Sequence, residues 1–185
     1  MSLAARDRVT FDEFLAMDEL PPKTELIDGE LVVSDPTFRH DDLVMRIVRS
    51  YILFETAHGS PGRMGTSGLV RAGERDGYSP DVWWVPTSTT LPPETGVFPS
   101  SPALVVEVRS PRTWHHDRGH KLRKYEARRV AEVWLVDGVN DEITVHRRSL
   151  GSDTFDVVLV LRPGDVLTTA LVPGWRVDLG EVFVR

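Results

Sequence analysis

Between Asp35 and Gly59 the apolar residues Leu43, Ile47, Val48, Tyr51, Ile52 and Phe54 recur at helical intervals, with charged residues between them. The spacing predicts the longest amphipathic helix of the chain, ended by Gly59. Upstream, Thr10 and Glu13 have the spacing of a capping box, which predicts a short helix from Phe11 to Met17, stopped by Pro21 and Pro22. In TELIDGELVV two apolar runs flank Asp28-Gly29, a pair that tolerates positive φ, so a tight β-hairpin is expected. From Ser67 the period shortens. SGLVRAG, DVWWV and ALVVEV read as three strands, separated by turns rich in Gly and Pro and by a loop from Thr87 to Pro102. HHDRGHKLRKYEARR then reads as a helix and VAEVWLVD as an interior strand, and this strand, helix, strand order implies a parallel pairing. EITVHRR, FDVVLVL, DVLTT and GEVFVR follow as strands that extend or cover the sheet. The expected fold is mixed α/β: a central sheet flanked by helices, with additional strands at the C-terminus.

Composition narrows this picture modestly. A chain of 185 residues that is 41% hydrophobic suits one domain, residues 1–185, with the first helix and hairpin strand (1–30) belonging to it. It has no cysteine, so disulfides and thiolate zinc sites are excluded. Arg6, Asp7 and Arg8 stand where a signal peptide needs apolar residues, and no run is long enough for a bilayer span, so a cytoplasmic protein with no membrane partner is expected. The net charge of −6 argues against nonspecific coating of nucleic acid. Against that background Arg109, Arg112, Arg118, Lys121, Arg123, Lys124, Arg128 and Arg129 form a local basic stripe, with only Asp117 and Glu126 as acids. It reads either as a nucleic-acid face or as a solvated helix surface.

Three residues break the apolar pattern in chemically suggestive ways. In ALVVEV, alternation places Ala103, Val105 and Glu107 on one face of a strand expected to be covered on both. A carboxylate there needs a cation, supplied either by a metal or by Arg109 two residues on. Asp81 opens the strand after Pro80, and an antiparallel neighbour would set it beside Glu107. Two adjacent carboxylates repel unless one is protonated or a cation lies between them, and Mg²⁺ suits such a site. Lys121 and Tyr125, four apart, share a helix face that can point back toward the end of the Glu107 strand.

ELIDGELVV, His40 at the start of the long helix, SPDVWWV, ALVVEVRSP, Asp117…Lys121…Tyr125, EVWLVD and PGWRVDL together resemble, in order and spacing, the Uma-two family of restriction-endonuclease-like proteins, which share the PD-(D/E)XK nuclease fold. The resemblance implies a metal-dependent endonuclease acting on DNA, with Mg²⁺ as cofactor and Mn²⁺ as a substitute. It makes Asp81 and Glu107 the motif acids and metal ligands, with the Val108 backbone carbonyl a further ligand and Lys121 the motif lysine, supplied by the following helix. It also implies an upstream acidic position, either Glu25 or Glu30, and a site-lining role for His40. Arg109 departs from the pattern, standing where the general motif has lysine. It cannot accept a proton, so it is either a phosphate ligand or the partner of Glu107. In this reading Arg112, Arg118 and Lys124 contact the nucleic-acid backbone and Tyr125 is auxiliary to the site.

The alternative is a noncatalytic nucleic-acid-binding or regulatory module that keeps the scaffold, since fold does not fix function. A homodimer is expected if two strands of a duplex are cut. His115, His116 and His120 read as solvated, Trp83, Trp84 and Trp134 as core, and the glycines of GSPGRMGTSG lack the context of a phosphate-cradling loop.

Overall fold

In the structure, a computed structural model that describes residues 8–91 and 96–184, the Asp28-Gly29 pair has φ of 49° and 78°. Both are positive, as a two-residue hairpin turn requires, and they join β1 (Thr24–Ile27) to β2 (Glu30–Val33) with Ile27 opposite Glu30. Before it, the Thr10/Glu13 capping box forms as expected and starts α1 (Phe11–Leu15), which ends two residues earlier than predicted. After it, the Thr37 side chain accepts from His40 N–H and opens α2 (Phe38–His58). The buried stripe of α2 is His40, Leu43, Val44, Ile47 and Tyr51. Ile52, expected on that stripe, is half exposed.

The remaining elements are β3 (Gly62–Gly65), β4 (Val70–Arg71), β5 (Gly77–Tyr78), β6 (Val82–Pro86), β7 (Leu104–Val108), α3 (Trp114–His116), a π-helical turn (Asp117–Lys121), α4 (Leu122–Ala127), β8 (Glu132–Asp137), β9 (Glu142–Arg147), β10 (Val157–Leu161), β11 (Val166–Thr168), β12 (Arg176–Asp178) and α5 (Leu179–Val182). A six-stranded sheet runs in the order β10-β9-β8-β7-β6-β3. The expected crossover makes β7 and β8 parallel, while every other pairing in this sheet is antiparallel. A second sheet, β2-β1-β5-β4, carries the hairpin, and β11 pairs with β12.

Alternation along β7 places the core on both faces. Leu104, Val106 and Val108 join Trp84, Trp134 and Val145 beneath α2 and the C-terminal segment around Trp175 and Leu179. Val105 faces the other way, onto Tyr125, Val130, Val133 and Tyr78, beneath α4 and the small sheet. The second face is the one that carries Glu107.

The structure corrects three expectations. GEVFVR is not a strand: Leu179, Val182 and Phe183 are buried at helical spacing, and the Asp178 side chain accepts from Gly180 N–H at 2.8 Å to start α5. The strand of SGLVRAG shrinks to two residues and belongs to the small sheet. β3, whose sequence GRMG has no strand signal, forms because Gly62 and Gly65 leave room for the indoles of Trp84 and Trp83 on β6. The Pro92-Pro93 part of the predicted loop lies outside the described residues. No described helix is long and apolar enough to cross a membrane.

Candidate active site

Antiparallel pairing sets Val82 opposite Val106, and one residue further brings Asp81 at the head of β6 level with Glu107 near the end of β7. The Val108 N–H donates to Asp81 Oδ2 at 2.8 Å, which fixes the aspartate against that strand end. The π-helical turn after β7 then swings Lys121 back over the same strand end. Its Nζ lies 2.8 Å from Glu107 Oε1, 3.0 Å from Glu25 Oε1 and 3.0 Å from Asp117 Oδ1. A π-turn is a wider and rarer helical turn, usually a single turn within an α-helix and frequent at functional sites. Tyr125, one turn further on, donates to Glu107 Oε1 at 2.6 Å. Sheet, hairpin and helix thus converge on one buried cluster.

A family model described as Uma2, "Putative restriction endonuclease", matches residues 11–180. The chain belongs to the Uma2 family. A crystal structure of "a putative nuclease belonging to DUF820" from Anabaena variabilis ATCC 29413 superposes with a TM-score of 0.79 at 18% identity, covering 95% of this chain and 97% of that one. At that identity the likeness shows the fold, which is restriction-endonuclease-like, as expected. A search among curated proteins finds no match.

In this Uma2 chain the two candidates for the upstream acid are placed very differently. Glu25 is buried, accepts from the Ser79 N–H at 2.8 Å and touches Lys121 through both oxygens. Glu30, at the far end of the hairpin turn, is exposed. The hairpin register puts both acids on one face, so position along the hairpin and burial decide this, and neither is visible in the sequence ELIDGEL. His40 reaches the site from the first turn of α2, with Nε2 3.1 Å from Asp81 Oδ2. Lys23 Nζ lies 2.7 Å from Asp81 Oδ1.

The electrostatics follow from three buried carboxylates around one ammonium. Desolvation pushes the Glu107 carboxyl well above its ordinary value, against the pull of Lys121, and the like charges of Asp117, Glu25 and Asp81 push it the same way. Glu25 is raised for the same reasons, desolvation first and Asp117 second. Burial opposes the charge on Lys121, but the surrounding acids outweigh it and raise its value. Asp81 behaves differently: desolvation raises it, yet the ring of His40 and the ammonium of Lys23 dominate and hold it at about 2.

Arg109 is not the partner of Glu107. Its Nη1 sits 3.0 and 2.9 Å from the two oxygens of Asp137, at the end of the neighbouring strand β8. The reason is topological, because the parallel pairing of β7 with β8 delivers an acid beside Arg109 that lies 28 residues away in sequence. The basic stripe is likewise divided. Lys124 is tied to Asp76 at 2.8 Å and Arg129 to Asp153 at 2.8 Å, while Arg112 and Arg118 are exposed.

Sequence reasoning gave no role to three groups here. Asp117 had a signal, its four-residue spacing from Lys121. Asp76 accepts from Asp28 N–H, Tyr78 Oη, His120 Nε2 and Lys124 Nζ, and so stitches the hairpin turn to the start of α4. Neither Asp76 nor Lys23 has any local pattern that points to its distant partners.

Proposed function

We propose that the chain is a divalent-metal-dependent endonuclease that hydrolyses phosphodiester bonds in DNA, with Mg²⁺ as cofactor and Mn²⁺ as a substitute. The observation that carries this reading is the convergence of Asp81, Glu107 and Lys121, from two strands and a helical turn, at the adjoining ends of β6 and β7. The donor set fits Mg²⁺: Asp81 and Glu107 offer hard carboxylate oxygens, the Val108 carbonyl is a third, and acids outnumber cations in the buried cluster. Among the described residues no group of three acidic or histidine side chains forms a ready metal cage. That suits an ion held by one or two carboxylates with water completing its shell.

When bound, the ion would supply Lewis-acid stabilisation of the phosphoryl group. Lys121, kept charged by its acids, serves as a fixed positive charge beside the reacting phosphate and not as a base. Glu25 and Asp117 hold its ammonium in place, and Tyr125 holds Glu107. Exposed Arg112 and Arg118 contact the nucleic-acid backbone, which fixes position without reading sequence, and Lys124 joins them from its Asp76 pair.

The test is nicking of supercoiled DNA in Mg²⁺ and then Mn²⁺, with wild type and Asp81→Asn purified in parallel. Wild-type cleavage that needs the ion and disappears in the variant, at unchanged circular dichroism, is the expected result. One observation favours a second reading, a noncatalytic nucleic-acid-binding module: both Asp81 oxygens are already engaged, by Lys23, His40 and the Val108 N–H. Titration calorimetry separates the two, because Mg²⁺ affinity unchanged by Asp81→Asn supports the module.

A further inference from the structure

β10 ends the six-stranded sheet, and its five residues, Val157-Val158-Leu159-Val160-Leu161, are all apolar. Val158, Leu159 and Val160 are 54, 38 and 47% exposed. An edge strand of this kind is normally blunted by charge, proline or a bulge, because its outward N–H and C=O groups template another strand. The opposite edge, β3, is short and carries Arg63 and two glycines.

The hydrogen-bond phase of the sheet shows which β10 groups point outward. Arg148 N–H donates to Ala131 C=O, so the even-numbered residues of β9 face β8 and the odd-numbered ones face β10. Arg147, Val145 and Ile143 oppose Val157, Leu159 and Leu161, whose backbone groups are therefore used within the chain. The backbone groups of Val158 and Val160 face away from the sheet.

We infer that this edge is a homodimer interface, in which β10 pairs antiparallel with β10 of a second copy about a two-fold axis at Leu159. In that register Val158 N–H and C=O bond Val160 C=O and N–H of the second copy, and the reverse, giving four backbone hydrogen bonds. Every apolar residue then faces an apolar residue. The flanking residues complete the match, because Asp156 of one copy falls opposite Arg162 of the other at both ends. Shifting the register by two residues sets a charged end against a valine. Shifting it by one sets outward-facing groups against inward-facing ones.

Asp156 now accepts from Ser149 N–H and Arg162 donates to Glu142, and each side chain keeps further hydrogen-bonding capacity for a second partner. β2, the exposed edge of the small sheet, fails the same comparison. Centred on Val32, its self-pairing sets Glu30 opposite Ser34 of the second copy, and centred on Leu31 it sets Glu30 opposite Val32, so neither register matches a charge with its opposite. The β10 interface does not depend on the nuclease reading, and its assay reads mass, not cleavage.

Light scattering on the wild type is expected to give about twice the 20.8 kDa chain mass. Asp156→Arg alone and Arg162→Asp alone bring like charges together and shift the protein to monomer, whereas the double variant restores the opposite pairing and the dimer. The chain has no cysteine, so Leu159→Cys provides an unambiguous cross-link. Its two copies would lie about 4.5 Å apart between Cα atoms, within disulfide reach. Val157→Cys is the control, since its copies are displaced by four residues, about 13 Å along the strand. A monomer at every concentration, or a dimer that ignores both charge reversals and does not cross-link through Leu159→Cys, would overturn the inference.

Discussion

Replacing Lys121 by methionine keeps most of the side chain's length and apolar stem and removes only its charge. In the wild type that charge faces Glu25, Glu107 and Asp117, each within 3.0 Å of Nζ, with the lysine side chain 3% exposed. Removing one partner of a buried ion cluster typically costs about 3–5 kcal/mol, because the remaining charges are left without compensation. The carboxyls relieve part of this cost by taking up protons, which makes the loss depend on pH. Glu25 and Glu107 already have raised values in the folded state, so between their unfolded and folded values the native protein holds protons that the unfolded chain has released. Stability therefore falls as pH rises through that window, and the penalty vanishes below the unfolded value. Without Lys121 both folded values rise further and the window extends upward. The gap between wild type and variant should then widen with pH, by about 1.4 kcal/mol per unit for each extra proton the folded variant holds. Urea unfolding in the presence of a chelator, at about pH 5 and about pH 8, measures this. A difference of no more than about 1 kcal/mol at both pH values, the size typical of a solvent-exposed pair, would refute the assignment of Lys121 as the buried counter-ion.

Asp76→Asn should destabilise the fold by about 1–2 kcal/mol near neutral pH, a figure lowered for the partial exposure of His120 and Lys124. Desolvation works against the Asp76 carboxylate, but Lys124, the Asp28 N–H, His120 and Tyr78 hold its value at about 2. Its contribution is therefore present above the unfolded value and lost as pH falls through about 2, so the two proteins should converge in acid denaturation. Tyr125→Phe removes the 2.6 Å bond to Glu107 and should cost about 1.5–3 kcal/mol in urea unfolding, together with a fall in any nicking rate. Glu25→Gln should weaken Mg²⁺-dependent nicking while Glu30→Gln leaves it unchanged, with stability in the latter within about 0.5 kcal/mol of wild type.

Local patterns were sufficient for most of the scaffold. The capping box at Thr10, the Asp28-Gly29 turn and Leu43, Ile47 and Tyr51 of the α2 stripe follow from spacing over a few residues, the parallel β7/β8 crossover follows from the order of its elements, and the structure contains each of them. The face of β7 that carries Glu107 was legible too, because strand alternation is a strict two-residue period. What sequence could not supply were choices made by groups far apart in the chain. ELIDGEL offers two equivalent acids, and only the burial of β1 against the Ser79 segment and Lys121 distinguishes Glu25 from Glu30. Arg109 stands two residues from Glu107, but the strand packed beside it brings Asp137 closer to its guanidinium. GRMG becomes a strand because tryptophans across the sheet need the space that its glycines leave. Short-range order is set by backbone sterics and hydrogen-bond period, which each stretch of sequence carries within itself. Charge pairing and close packing depend on which residues the chain topology brings within a few ångströms of one another, and that was decided only when the sheets closed over the core.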